Sequence, residues 1–192
     1  SEIIGQIELA HLAGAPLDIS VKSDAPAWAE KLGGTLTPFG SIRLQDAGQV
    51  TALAGFEAGE WWVQDTAAAL PAALLKAKIG ETVLDMCCAP GGKTMQLAAT
   101  GATVTALDAS ESRLARVREN LTRTRLAATL LCEDALTHEG TYDAVLLDAP
   151  CSATGTIRRH PDLPHAKTGE EFGALIELQA QMLAHAAGLV KS

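Results

Sequence analysis

The amino-acid sequence predicts an α/β fold in which a parallel β-sheet with helices follows a small α+β annex. From residue 81 onwards, short apolar segments typical of strands alternate regularly with helix-like segments, which implies right-handed crossovers. The segment Tyr142–Leu147 (YDAVLL) is apolar almost throughout, as in a strand covered on both faces of a sheet. Before residue 60, glycine, proline and short apolar–polar alternations predominate instead.

The annex is predicted to comprise residues 1–60. Residues 1–13 are helix-like, and the alternating segments LDISV and SIRL are typical of short strands. A helix is predicted over residues 25–32 between these two segments. Together these elements indicate a small α+β unit.

The second predicted domain comprises residues 61–192. Trp61 and Trp62 open it, and we expect them to pack at the boundary with the annex, with contact to a substrate as the alternative. An alanine-rich helix over residues 64–78 follows, with Asp65 as a candidate N-cap. The remaining predicted strands are 81–86, 103–107, 128–132 and 142–147, and the remaining predicted helices are 92–100, 111–123 and about 170–188.

Composition narrows the class of protein. At 192 residues and 47% hydrophobic, the chain suffices for one domain with a sizeable core, or one domain plus an annex. We find neither a signal peptide nor an apolar run near the roughly 18 residues of a membrane span, so we expect a cytoplasmic protein. The formal charge of −8 argues against a protein that binds nucleic acid over its whole surface, so any RNA contact should be local.

The four cysteines are expected to be free thiols. They form no C-x-x-C pair, so neither a zinc knuckle nor a secreted disulfide framework is indicated, and we expect no metal. The cysteines are Cys87, Cys88, Cys132 and Cys151.

The segment Val83–Thr94 (VLDMCCAPGGKT) predicts a strand, a tight turn and the start of a helix. Paired glycines let a ligand approach the backbone, and the free N–H groups of the first helical turn favour a negatively charged group. A phosphate loop of NTPases is excluded because Cys87 stands where that loop needs glycine. A dinucleotide site is disfavoured because the turn lacks G-x-G-x-x-G, so we expect another small ligand.

Each predicted strand of the second domain finishes at an aspartate: Asp85, Asp108, Asp134 and Asp148. These ends share one edge of a parallel sheet, where ligands bind in open α/β proteins. Carboxylates would repel a pyrophosphate but suit hydroxyls, amines and a cationic centre. S-adenosylmethionine has these groups and also a carboxylate that the Gly91–Gly92 turn can receive. Asp108 lies about twenty residues past the turn, as ribose-binding acids do. For any one of these acids, and for Asp134 above all, the alternative is a helix cap or a solvated loop carboxylate.

A second motif, DAPCSATGTIRRHPD, runs from Asp148 to Asp162. Cys151 is either a packed thiol or a chemical group, and its polar, glycine-bearing surroundings favour chemistry. Arg158 and Arg159 form a basic pair that can hold a substrate phosphate or simply lie on a solvated surface.

The segments CAPGGKT, DAS and DAPCSATGTIRRHPD resemble the motifs of the bacterial small-subunit ribosomal RNA cytosine-5 methyltransferases of type B (the Fmu or Sun proteins), within the RNA 5-methylcytosine methyltransferases. The similarity is strong over Trp61–Ser192 and weak over Gly14–Glu60. It implies a Rossmann-like class I S-adenosylmethionine-dependent methyltransferase core, an RNA substrate, most often ribosomal, and a cytoplasmic location.

The resemblance also implies roles for individual residues. It places Asp108 at the ribose of S-adenosylmethionine, Asp134 at the adenine end, and Asp148 between cofactor and target base. Lys93, Arg158 and Arg159 are predicted to contact the RNA. The full set of predicted cofactor-binding residues is Cys88, Ala89, Pro90, Gly91, Gly92, Lys93, Thr94, Asp108, Asp134 and Asp148.

In this family the catalytic thiolate adds to carbon 6 of cytosine so that carbon 5 can accept the methyl group. Cys151 resembles the thiol that assists release, whereas the attacking cysteine belongs to a Thr-Cys pair one strand further on. The sequence stops at Ser192, so the resemblance places the main nucleophile and the last strands beyond that residue. We therefore expect cofactor binding with little turnover, and self-association through an unpaired sheet edge.

Two other functions remain open at this stage. One is a nucleotide-dependent oxidoreductase that binds NAD. The other is an RNA-binding module without activity, for which the acidic balance of the chain is unfavourable.

Overall fold

The computed structural model describes residues 2–12, 15–45, 47–157, 159–160, 162–163, 169–170 and 172–191. Within them the strands form one antiparallel and one parallel sheet of four strands each. The strands are β1 (Leu17–Val21), β2 (Thr35–Leu36), β3 (Ile42–Leu44), β4 (Trp61–Val63), β5 (Thr82–Met86), β6 (Thr103–Asp108), β7 (Thr129–Cys132) and β8 (Ala144–Leu147). The α-helices are α1 (Glu2–Leu12), α2 (Ala25–Leu32), α3 (Thr66–Leu75), α4 (Gly92–Ala99), α5 (Glu111–Thr124) and α6 (Phe172–Gly188).

The antiparallel sheet has the order β2-β3-β1-β4 and packs with α2 around a small core. Ile19 on the inner strand β1 lies opposite both Ile42 and Val63, and its side chain is fully buried. Helix α2 begins after Asp24, whose side chain accepts a hydrogen bond from the Ala27 N–H. Strand β4 comes after residue 60 yet pairs with β1, so this sheet includes three residues of the second predicted domain.

The two tryptophans of β4 join the two cores of the molecule. Successive strand residues point to opposite faces, so Trp61 packs into the antiparallel-sheet core while Trp62 packs into the core of the parallel sheet. Their side chains are 0% and 1% exposed, which confirms the prediction that they pack at this boundary. Trp61 donates to the Ala54 carbonyl and Trp62 to the Gln64 side chain, so both indole N–H groups have partners.

The parallel sheet has the order β7-β6-β5-β8, with β5 between β6 and β8. Chain order therefore reverses at β5, and such a reversal opens a crevice at the carboxyl ends of the strands. Side chains of α4 and α5 cover one face of the sheet, and α6 covers the other through Met182 and Ala186. This doubly covered parallel sheet confirms the predicted Rossmann-like core.

The outer side of β8 is partly covered by the chain that follows α6. Tyr142 pairs in parallel with Val190: the Tyr142 N–H donates to the Leu189 carbonyl and the Lys191 N–H to the Tyr142 carbonyl, both at 2.8 Å. Strand β8 begins at Ala144, so it is shorter than the predicted segment 142–147. Just before it, the Asp143 N–H donates to the Thr82 carbonyl and the Asp143 carboxylate accepts from Thr82.

Two predicted helix ends also shift. Helix α3 begins at Thr66, after the predicted N-cap Asp65, and stops at Leu75 because Lys76 adopts a left-handed conformation with φ of 52°. Helix α6, described over Phe172–Gly188, agrees with the helix predicted over about 170–188. Among the described residues, none of the helices has both the length and the apolar character to span a membrane.

The two sheets meet along the C-terminal end of α5. Arg123 donates through Nη1 to the carbonyls of Phe56 (2.8 Å) and Trp61 (3.0 Å), and its guanidinium lies 4.2 Å from the centre of the Phe56 ring. Gly59 lies directly against the Arg123 backbone, and a Cβ at residue 59 would overlap the Arg123 carbonyl oxygen. Only glycine fits there, because φ is also +68°.

Candidate active site

The turn between β5 and α4 follows the predicted strand–turn–helix pattern. Cys87 is left-handed with φ of 62°, the peptide between Ala89 and Pro90 is cis, and Gly91 has φ of 100° and precedes α4. A side chain at Gly91 would press on Val117 of α5 at 2.9 Å as well as strain the backbone. The turn therefore depends on glycine at this position.

Two polar side chains of α5 donate hydrogen bonds to the backbone of this turn. Arg113 Nη2 donates to the Ala89 carbonyl at 3.0 Å, and Asn120 Nδ2 donates to the Pro90 carbonyl at 3.1 Å. Because these residues are seven apart, they lie two helical turns apart on one face of α5. The turn is thus fixed by α5 as well as by its own backbone.

Asp108 lies at the end of β6 beside the turn, as predicted. Its carboxylate accepts hydrogen bonds from the N–H groups of Ala89 (3.3 Å) and Ser110 (3.0 Å). Arg113 Nη2 lies 3.3 Å from the same carboxylate, which is 2% exposed. The structure therefore brings Asp108 and the turn together.

Asp148 follows β8 and meets the first turn of α4. Lys93 Nζ lies 2.7 Å from Asp148 Oδ2, and the Asp148 N–H donates to the Met86 carbonyl. The Lys93 side chain is 14% exposed, whereas that of Asp148 is 54% exposed. This ion pair joins the two predicted motifs across the crevice between β5 and β8.

Asp85 is fully buried below this ion pair. Thr94 Oγ1 donates to Asp85 Oδ2 at 2.6 Å, while Asp85 Oδ1 has no hydrogen-bond partner among the described residues. Burial raises the pKa of the Asp85 carboxyl to about 7, although the Thr94 hydrogen bond acts in the opposite direction. Asp85 was predicted to belong to the acidic row but was assigned no role.

The other predicted residues lie further from the turn or are held elsewhere. Asp134 is exposed and accepts from the Leu136 N–H at 2.9 Å, so it makes the local turn contact of the alternative interpretation. Cys151 is exposed, and its sulfur accepts from the Ala153 N–H. Arg159 pairs with Asp65 at 2.9 Å, and Arg158 lies outside the described residues.

The thiols of the turn differ from Cys151 in burial. Burial raises the pKa of the Cys87 thiol to about 11 and that of Cys88 to about 12, and neighbouring carboxylates add to both shifts. Because the thiolate is the reactive form, Cys87 and Cys88 are unsuited to nucleophilic attack. The four cysteines are free thiols, as predicted.

A cavity of about 530 Å³ adjoins the turn and contains both partners of the central ion pair. Its wall includes Asp85, Lys93 and Asp148, together with the turn residues Cys88 and Gly92. Within the described part of the chain, no group of three or more His, Cys, Asp or Glu side chains is arranged to hold a metal ion. The site thus combines a concave space, a buried acid and an ion pair, as ligand sites do.

A family model described as 16S rRNA methyltransferase RsmB/F matches residues 72–192. The chain belongs to the RsmB/F family. This match confirms the resemblance predicted from the motifs, and it includes the turn, the acidic strand ends and the Cys151 loop.

Relatives of this RsmB/F chain support the assignment. The ribosomal RNA small subunit methyltransferase B of Vibrio cholerae is 39% identical over an alignment of 195 positions, which spans 93% of this chain and 45% of the relative. The chain spans less than half of the length of the curated relatives that it matches.

Solved structures show the same fold. A methyltransferase homolog protein from Pyrococcus horikoshii superposes with a TM-score of 0.79 and 26% identity, covering 95% of this chain and 63% of that one. NSun6 from Pyrococcus horikoshii, solved with SFG, gives a TM-score of 0.68 at 28% identity over 75% of this chain and 38% of that one.

Sequence reasoning missed several residues of this RsmB/F site. Arg113 and Asn120 hold the turn, and their spacing of seven on an amphipathic helix is the one signal that pointed to a shared face. Gln64 packs against Gly92 and accepts from Trp62, but no motif marks it.

Proposed function

We propose that this chain forms the cofactor-binding and base-binding part of an enzyme that transfers a methyl group from S-adenosylmethionine to carbon 5 of cytosine in RNA, with 16S ribosomal RNA as the substrate. The observation that carries the proposal is the Lys93–Asp148 ion pair on the cavity wall, in a chain of the RsmB/F family. A cytoplasmic location follows from such a substrate. The division at residue 60 between annex and core is part of the same proposal.

The residues around the turn fit S-adenosylmethionine, which supplies the methyl group when bound. The carboxylate of Asp108 suits ribose hydroxyls, and Asp134 is assigned to the adenine end. The backbone of Cys88–Thr94 faces the methionine part, where the N–H groups at the start of α4 favour its carboxylate. This set is rich in acceptors, as a cationic nucleoside requires.

Lys93 and Asp148 are assigned to the target base. After thiolate addition the Asp148 carboxyl group shares a proton with ring nitrogen 3 of cytosine and so stabilises the ring, and the Lys93 ammonium, 2.7 Å from Asp148 Oδ2, is positioned to donate that proton. Cys151 assists release of the methylated base. Arg159, with Arg158, is assigned to substrate phosphates, so RNA must compete with the Asp65 carboxylate that Arg159 contacts. The target base must also leave its stack, at a few kcal/mol.

Calorimetry with S-adenosylmethionine and with NAD tests the cofactor assignment. We expect binding of S-adenosylmethionine and no binding of NAD. Asp108→Asn should weaken S-adenosylmethionine binding by about tenfold, since a hydrogen bond to a charged group is worth about 1.5 kcal/mol or more. Asp143→Asn, at the opposite end of the same sheet, is the matched control and should leave the affinity unchanged. Equal affinities of parent and Asp108→Asn chains would contradict the assignment.

We also propose that the sheet edge at β8 mediates self-association. In the described residues β8 pairs with β5 on one side only. On the other side, the one described β-bridge joins Tyr142, just before β8, to Val190. Unpaired backbone groups along a strand favour pairing with another chain. Sedimentation at increasing protein concentration should show a rising mean mass, and a constant monomer mass would contradict this proposal.

A further inference from the structure

The cavity at the turn extends beyond the predicted motifs. Its far wall is formed by Val50, Phe56 and Val63 from the antiparallel-sheet region and by Asn120 and Arg123 from α5. None of these five residues belongs to a motif of the sequence. The site therefore has a second part, between the two sheets, to which the sequence assigned no ligand.

The chemistry of this far wall suits a flat heterocycle. Phe56 and the valines are apolar, and Val63 is 43% exposed although it lies on a strand. The Arg123 guanidinium is held 4.2 Å from the Phe56 ring centre and already donates through Nη1 to two carbonyls. A guanidinium fixed in this way suits stacking more than capture of a phosphate. The Asn120 Nδ2 already donates to the Pro90 carbonyl at 3.1 Å, so this amide contributes its Oδ1 as an acceptor beside these apolar surfaces.

The far wall and the Lys93–Asp148 pair belong to one continuous cavity. Its volume of about 530 Å³ is within the range of roughly 300–1,000 Å³ of ligand sites. Single-stranded RNA is bound mainly through bases stacked on aromatic and guanidinium planes. A strand whose cytosine lies at Lys93 and Asp148 would direct a neighbouring nucleotide along this cavity.

We propose that the far wall, formed by Val50, Phe56, Val63, Asn120 and Arg123, binds a base of the RNA strand next to the target cytosine. The antiparallel sheet is then part of the substrate site. This inference rests on the proposed RNA methyl transfer.

The test compares two exposed residues of the same sheet. Val63 on β4 lines the cavity, and Leu36 on β2, at 40% exposure, does not. Val63→Glu and Leu36→Glu change the net charge equally. A difference in RNA affinity between the two variants therefore reports where the charge was placed and not the charge itself. RNA affinity is measured by fluorescence anisotropy with a cytosine-containing single-stranded RNA, and cofactor affinity by calorimetry with S-adenosylmethionine.

We expect Val63→Glu to weaken RNA binding by about tenfold or more, because loss of one stacked base costs roughly 1–3 kcal/mol. Leu36→Glu should change it less than about twofold, and both variants should bind S-adenosylmethionine like the parent chain. Equal RNA affinities of the two variants would overturn the inference while leaving the proposed function in place. Failure of the parent chain to bind RNA would overturn both.

A cross-linking experiment gives a second readout that needs no substitution. RNA carrying 4-thiouridine next to the cytosine is irradiated with the parent chain, and the attached peptides are identified by mass spectrometry. Cross-links to peptides containing Phe56 or Val63 are expected. Cross-links confined to other peptides would overturn the inference.

Discussion

Asp18 in the antiparallel sheet and Asp85 in the parallel sheet are both fully buried, yet their surroundings differ. Asp18 accepts two hydrogen bonds from Arg43, at 2.7 and 2.8 Å, and two from Thr66, so both of its oxygens have partners. Asp85 accepts one from Thr94, and its Oδ1 has no partner among the described residues. The first carboxylate is fully hydrogen-bonded within the structure, whereas the second retains one buried oxygen without a partner among the described residues.

The two pKa values follow from these partners and give stability opposite pH dependences. Hydrogen bonds from Arg43 hold the pKa of Asp18 at about 2, below its ordinary value, so its contribution is present above about pH 4 and is lost as the pH falls towards 2. Burial raises the pKa of Asp85 to about 7, so its contribution is complete below about pH 4 and is lost as the pH rises through 7.

The largest expected effect is the loss of stability when Asp18 becomes neutral. Asp18→Asn breaks the ion pair between the buried Asp18 carboxylate and Arg43, which is 42% exposed, and sets an amide N–H against the donors of Arg43 and Thr66. The change should cost about 3 kcal/mol of the free energy of unfolding. Urea denaturation at pH 7 measures it. A loss below about 1 kcal/mol would show that the antiparallel sheet does not depend on this carboxylate.

Asp85→Asn should have the opposite effect on stability. At pH 8 the variant should be more stable than the parent by about 2 kcal/mol or more, since each pKa unit is worth about 1.4 kcal/mol and the variant has no charge to bury. The gain should disappear below about pH 4. Urea denaturation from pH 4 to 8 measures it. A variant with parental pH dependence would remove the distinction between the two aspartates.

Thr94→Val tests how much the one hydrogen bond to Asp85 contributes. The substitution conserves shape but removes the donor to a buried carboxylate, which should cost about 1–2 kcal/mol at pH 8. It should also raise the pKa of Asp85 further, so that stability is lost at a higher pH than in the parent. Thr94→Ser keeps the hydroxyl and should retain the parental pH dependence; a shift of equal size in both variants would contradict this account.

The smallest effect on the free energy of unfolding is expected for a solvent-exposed ion pair. Arg118 and Glu111 of α5 lie 3.2 Å apart, with side chains 55% and 64% exposed. Arg118→Ala should change the free energy of unfolding by less than about 0.5 kcal/mol, which makes it the reference for the Arg43–Asp18 pair, whose carboxylate is buried. A loss as large as that of Asp18→Asn would mean that burial does not explain the difference.

The elements and the acids at the strand ends were predictable because they depend on local patterns. Alternation of apolar residues marked the strands, and the rule that parallel strands end at one edge placed Asp108 and Asp148 near the turn. The same rule could not distinguish Asp134, which is exposed and makes a local turn contact. Burial of each acid depends on the helices packed around it, which local pattern does not specify.

The far wall of the cavity was not predictable for a related reason. It requires β4 to pair with β1, some forty residues earlier in the chain, and Arg123 to reach the carbonyls of Phe56 and Trp61. Such pairings depend on the tertiary arrangement, and no periodicity in a single sequence records them.

Gly59 sets a practical limit on engineering this protein. The Gly59 backbone lies against that of Arg123 with no room for a side chain. The loop that contains Gly59 and the end of α5 that contains Arg123 therefore pack as two matched segments. A chimera that joins a foreign N-terminal unit to the parallel-sheet part of the chain would have to inherit both segments together. Libraries that randomise residue 59 should return glycine almost invariably, whatever the rest of the loop becomes.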